Sequence, residues 1–143
     1  GGANVHMIWG IQWDETLKWL IDTGEKTYAE IGSDSTSWGN YYTNSFTYYT
    51  NTSKSTATKS SGTGTRIPSG AYEGANANNV FDLAGNVWDW TLESDGSEIG
   101  GSRHLRGCGY NRYGGYYPAA YRNSDNPFSS DDYNGLRCAL YVK

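Results

Sequence analysis

The sequence predicts an irregular α+β domain, rich in loops and poor in helix. Three observations carry that prediction. Trp9 to Gly24 is the one stretch with convincing helical spacing. Short apolar blocks ending at Trp90, spanning Arg103 to Tyr110, and spanning Gly135 to Val142 read as strands. Polar tracts of Ser, Thr, Asn, Gly and Tyr separate them. With 143 residues, the chain forms one domain, burying roughly two-thirds of the surface its unfolded form exposes.

Taken in order, the helix comes first. Trp13, Leu17, Leu20 and Ile21 fall on one stripe, with Asp14 as the expected N-cap and Gly24 as the stop. Glu15 and Lys18 lie on the other side as an exposed pair. Residues 33–65 follow as a polar tract. Trp38, Tyr41, Tyr42, Phe46, Tyr48 and Tyr49 pin its first half, whereas 50–65 offer nothing to bury and are expected to be mobile.

The densest apolar block is Asn79 to Trp90, which holds Val80, Phe81, Leu83, Val87, Trp88 and Trp90. It is the expected centre of the core. Its turn is Ala84-Gly85-Asn86, since Gly accepts positive φ and Asn hydrogen-bonds its own backbone. Ser94 to Ser97 makes another turn. In the last strand Leu136, Cys138, Leu140 and Val142 alternate onto one face.

Composition excludes some functions. The net charge of −4 gives no electrostatic case for nucleic acid or an anionic membrane, and no run is long and apolar enough for a membrane span. Two cysteines, Cys108 and Cys138, are too few for a disulfide framework; two small buried thiols are expected, with a bridge as the alternative. The chain opens Gly1-Gly2-Ala3 without Met, so a missing N-terminal part is expected.

The central block carries a resemblance. Asn79 to Thr91 resembles the signature of the formylglycine-generating-enzyme-like (sulfatase-modifying factor) family, a branch of the C-type lectin fold. The similarity continues in Arg103-His104-Leu105-Arg106-Gly107-Cys108-Gly109-Tyr110, in Ala120-Tyr121-Arg122-Asn123 and in Gly135-Leu136-Arg137-Cys138. It implies a C-type-lectin-like α+β fold with the helix lying against the sheet. Family members usually have more chain before this point. Catalytic members place two cysteines two and seven residues past the aromatic of a Gly-Gly-Ser-Trp/Tyr turn. The matching positions here are Arg112 and Tyr117, which supply no thiolate for a soft metal. Another branch uses iron with a His-rich triad; His6 and His104 are the only histidines. No catalytic residues are therefore expected. Relatives often bind calcium at the Gly-Asn-Val-Trp turn, so the resemblance implies a structural ion at Asn86, the Val87 carbonyl and Asp89. The competing reading has Asn86 capping its own turn and Asp89 paired with an arginine.

Residues 107–137 give the sharpest signal. They contain no Lys, Glu, Gln, Trp or Met, whereas the other 112 residues hold 19, a rate that would put about five here. A codon AAC or AAT altered at both adenines yields fifteen amino acids, and those five are not among them. This is the fingerprint of adenine-directed mutagenesis by a diversity-generating retroelement, whose target proteins resemble this one and carry a variable C-terminal segment on a C-type lectin fold; the competing reading is a Tyr/Gly-rich loop of ordinary origin. The resemblance implies a non-catalytic binder of a protein or cell-surface ligand, acting at a bacterial cell surface or on a phage particle. The expected face comprises Tyr110, Arg112, Tyr113, Tyr116, Tyr121, Asn123, Asp125, Phe128, Asp131, Asp132 and Tyr133. Aromatic anchors among adaptable polar groups are what such a face requires. Pro118-Ala119-Ala120 and Leu136-Arg137-Cys138 are its expected fixed scaffold. The alternatives are a carbohydrate-binding or structural module of the same family, and a degenerate enzyme. A sugar site would be a pocket with two or three polar contacts, and a diversified site a broad exposed face.

Overall fold

The computed structural model describes residues 3–96 and 101–142. Strand β1 (Ala3–Met7) leads into helix α1 (Gly10–Asp22) and the short α2 (Tyr28–Gly32). A hairpin follows, β2 (Phe46–Tyr49) with β3 (Thr56–Lys59), then the two-residue strands β4 (Asn76–Ala77) and β5 (Val80–Phe81). The main sheet comprises β6 (Trp88–Ser94), β7 (Arg103–Arg106), β8 (Arg122–Asp125) and β9 (Asn134–Leu136), in the order β8-β7-β6-β9. Only the β6–β9 pairing is parallel in that sheet. The last strand, β10 (Cys138–Val142), pairs antiparallel with β1, so both ends of the described chain close on each other.

The helix packs as its spacing requires. Trp13, Leu17 and Leu20 are buried against Leu83, Ala84, Trp88 and Leu105 in one cluster, with Ile21 partly buried beside it. The N-cap is Trp9, not Asp14: the Trp9 amide donates to Gln12 Oε1 at 2.9 Å, and Gly10 to Trp13 already belong to the helix. Asp14 is instead held by arginines of the sheet. Lys18 pairs with Asp22, not Glu15.

The central block is the hub of the core. Gly85 (φ +71°) lies where a Cβ would sit 2.2 Å from the Asn40 carbonyl, so backbone fills the space a side chain would need. Asn86 does not cap its own turn. Its Oδ1 accepts from Asn40 Nδ2 (3.0 Å) and the Ile67 amide (3.1 Å), and its Nδ2 donates to the Ile67 carbonyl (3.1 Å). One buried amide thus ties the turn to two distant loops.

Other expectations are corrected. Residues 50–65 contain β3, whose Lys59 is buried and donates to the Tyr41 and Asn44 carbonyls at 2.7 Å each. Ordering there comes from a lysine satisfied by carbonyls, which a count of apolar residues does not register. The Arg103–Tyr110 strand ends at Arg106, because Gly107 and Cys108 adopt φ of +83° and +74°. The face carrying Leu136, Cys138 and Leu140 is outward, with Leu136 61% and Leu140 62% exposed. Alternation identified the face but not its side. Ser97 and the side chain of Val142 lie outside the described residues. Both cysteines are free: Cys108 is buried, its thiol pushed up to about 12 by desolvation, while Cys138 is exposed.

Candidate ligand-binding face

The segment from 107 to 137 is held by its backbone. The Tyr110 amide donates to the Asn86 carbonyl (2.8 Å), the Tyr42 amide to Arg112 (2.8 Å), and the Ala120 amide to Ile31 (3.1 Å). Pro118 and Ala119 are buried. Ala119 accepts from the Trp13 indole at 3.1 Å and donates to Ser35 Oγ at 2.8 Å. Gly114 packs so tightly on Thr36 that a Cβ would lie 2.5 Å from its hydroxyl. Loop path and side-chain display are therefore separate: main chain and small residues face the core.

Some large side chains point the other way, whereas Tyr117 and Tyr133 pack against the core cluster. Tyr113 is 44%, Tyr116 75% and Phe128 85% exposed. Tyr113 packs edge-on against Tyr42 and Tyr116, with ring centroids 5.7 and 6.0 Å apart. Beside them lies a cavity of about 210 Å³ lined by Trp88, Leu105, Arg112, Tyr117, Tyr121, Asn123, Asp125 and Tyr133. Tyr117 and Tyr121 meet edge to face at 4.9 Å, and each ring lies about 6 Å from Trp88. The Arg112 guanidinium stands 5.9 Å over the Tyr117 ring.

Five of the eleven expected residues thus converge on one cavity: Arg112, Tyr121, Asn123, Asp125 and Tyr133. Trp88, Leu105 and Tyr117 complete it and were not in the expected set. Tyr110 and Asp132 form a separate pair, Oη to Oδ2 at 3.3 Å, with Arg66 donating to the Asp132 carbonyl. Phe128 sits on the turn after β8, and Asp131 accepts the Asn134 amide through its carbonyl (3.3 Å).

A second cavity, of about 320 Å³, lies at the turn where the resemblance implies calcium, and Asn86, Val87 and Asp89 all line it. Asn86 does not fit as a ligand, because its Oδ1 already accepts two donors. Asp89 accepts from Arg137 Nε at 3.2 Å, while Arg137 Nη2 donates to the Phe81 and Asp82 carbonyls. Burial, with the Asp82 charge adding to it, pushes the Asp89 carboxyl up to about 6 against the pull of Arg137. Asp82 was not expected here. Its Oδ2 accepts from Ser69 and Gly70, whereas its Oδ1 is buried without a partner. The carboxylates of Asp82 and Asp89 both line this cavity, but among the described residues no group of three or more His, Cys, Asp and Glu side chains gathers that could hold a metal ion.

Fold and motifs together place the chain in a family. Residues 13–142 match the Sulfatase-modifying factor enzyme 1-like domain, and the chain belongs to that family. It is 33% identical over 81 residues to the formylglycine-generating enzyme of Streptomyces coelicolor, an alignment covering 45% of this chain and 26% of that protein. Among solved structures it is similar to Treponema denticola variable protein 1, with a TM-score of 0.62 at 16% identity over 95% of this chain and 47% of the other. The fold is the α+β, C-type-lectin-like fold of that variable protein. The chain spans about a quarter of the curated relative and about half of the solved one.

Proposed function

We propose that this chain is a non-catalytic ligand-binding protein: a C-type lectin scaffold that displays a Tyr-rich face diversified by a retroelement, taking a protein or cell-surface ligand at a bacterial cell surface or on a phage particle. The observation that carries the reading is the division within 107–137 between a backbone anchored to the core and exposed side chains such as Tyr113, Tyr116 and Phe128. The composition of that window supports it, as does the likeness in fold to a protein named as variable. Arg112 and Tyr117 stand at the positions of the family's thiols, and Cys108 is buried with a raised pKa, so no thiolate is available there. A calcium ion held by Asp82 and Asp89 would serve as a structural charge partner.

The decisive test is genetic. A near-copy of the codons for 107–137 beside a reverse-transcriptase gene, differing at adenines, is the expected finding. Its absence, with an invariant segment across isolates, would overturn the reading.

A further inference from the structure

Strand β8 is an outer edge of the main sheet, with β7 its one neighbour among the described residues. Two side-chain contacts show which way its main chain faces. The His104 carbonyl accepts from Thr91 Oγ1 (3.0 Å), so the main chain of His104 turns toward β6, and that of Leu105, next to it, turns toward β8. Asn123, opposite Leu105, therefore faces inward, and its carbonyl lies 3.1 Å from His104 Nδ1. By alternation Arg122 and Ser124 face out. Both are exposed, and among the described residues nothing bonds the outward amide or carbonyl of either.

Devices that commonly blunt such an edge are missing. The β7–β8 register runs without a shift, β8 contains neither Lys nor Pro, and the Arg122 guanidinium is drawn aside to Asp14 and Glu93. The amides and carbonyls of Arg122 and Ser124 stand one strand repeat apart. An extended main chain matches that ladder with donors and acceptors of its own at the same repeat.

The edge also borders the cavity of about 210 Å³, where Asn123 and Asp125 present their side chains beside Arg112, Tyr121 and Tyr133. Main-chain bonds survive any change of side chain except to Pro. A strand laid on β8 would thus be held by groups that substitution leaves in place, and read by the side chains of Asn123 and Asp125.

We infer that the outer edge of β8 takes an extended segment of a protein ligand, which adds to the main sheet as a further strand and sets alternate side chains against the cavity. The inference deepens the proposed function and rests on 107–137 being a ligand-binding face.

The test selects linear peptides from a displayed random library against the intact chain and maps the complexes by protein-observed NMR. Peptides should be enriched, and each complex should protect the Ser124 amide from hydrogen exchange about tenfold or more beyond the free chain. N-methylation of a bound peptide should weaken it about tenfold or more at every second residue and little in between. Ser124→Pro removes an outward donor and no bond to β7, so it should weaken binding equally while leaving the melting curve near the parent's. The N-methyl scan reads the edge even where that variant is less stable. Asn123→Ser with Asp125→Asn should change the sequences enriched and keep the Ser124 amide protected. No enriched peptide, an unprotected Ser124 amide, an N-methyl pattern without alternation, full affinity in a folded Ser124→Pro chain, or self-association through β8 in place of peptide would overturn the inference. The two readings fail separately: a missing retroelement template removes diversification and leaves strand addition standing. Peptides that bind away from β8, in a segment shown to vary between isolates, remove only the added strand.

Discussion

Arg137 donates from Nε to Oδ2 of Asp89 across 3.2 Å, joining the turn before β10 to the strand that carries Trp88. The same guanidinium collects the carbonyls of Phe81 and Asp82, so one side chain fastens three parts of the family motif. Asp89 nevertheless titrates high, because burial outweighs the attraction of its partner.

That balance sets a pH dependence. The Asp89 pKa is raised from an unfolded value of about 3.9 to about 6, so between those values the folded chain binds more protons than the unfolded one. Stability therefore falls as pH rises through the window, by at most about 3 kcal/mol. Glu30 and Asp34 have lowered pKa values through hydrogen bonds to Thr27 and Thr36 and act in the opposite sense, but only as pH drops toward about 4. Melting temperature should decline from about pH 5 to about pH 6 and level off above that, and Asp89→Asn should flatten the slope. An unchanged slope in that variant would assign the titration elsewhere.

A calcium ion at this turn would act on the same carboxylates. Held there, it would stabilise the fold by mass action, about 2.7 kcal/mol at a hundredfold excess over its dissociation constant. Millimolar calcium should raise the melting temperature at neutral pH, and Asp82→Asn should abolish the increment. Equal melting with calcium and with chelator would show that Arg137 alone serves as the cation.

Asp14 holds two arginines of the sheet, accepting from Arg106 and, at 2.6 Å, from Arg122. Arg106 is almost wholly buried, so Asp14→Ala leaves its charge without a hydrogen-bonded counter-ion and should cost about 3–5 kcal/mol. Asp14→Asn, which keeps an acceptor, should cost less. Equal stability of the two variants, by urea melts, would show that the buried guanidinium does not need its counter-charge.

How much of this was legible in the sequence follows from the kind of interaction involved. Apolar periodicity located α1 and the hub around Trp88, because those residues are buried by the same rule that spaces them. Strand β8 was missed: Arg122 to Asp125 has no apolar residue, and it is a strand because β7 offers it an edge. The outward turn of Leu136 and Leu140 is likewise set by tertiary partners. In the candidate site, the loop stood out through the residue types that the window lacks. Trp88 read as core, Leu105 as a strand residue and Tyr117 as the counterpart of a family cysteine, and Asp82 carried no signal of its own.

The two central tryptophans should differ. Trp88 is buried among Tyr117, Tyr121 and Leu105, so Trp88→Ala should cost about 3–5 kcal/mol. Trp90 is only half-buried beside Met7, Arg103 and Pro127 and should cost less. Urea denaturation of both variants would check the order, and a more damaging Trp90→Ala would relocate the centre of the core.

The last prediction separates face from scaffold. Arg112, Tyr113, Tyr116 and Phe128 are exposed. Arg112 and Tyr113 fix the loop through main-chain atoms: Arg112 O accepts the Tyr42 amide, and Tyr113 O accepts the Tyr116 and Tyr117 amides. Substitutions at such surface positions usually fall within about 0.5 kcal/mol of neutral. Replacing all four by Ser or Asn should therefore leave the melting temperature within a few degrees of the parent, while binding to the natural partner collapses with its aromatic anchors. Tyr133 behaves differently. Its side chain is half-buried against the core cluster, so Tyr133→Ser should lower stability by about 1–2 kcal/mol. A drop of more than about 10 °C in the fourfold variant would mean that these rings are a satellite core folded onto Tyr42, and that the face is structural.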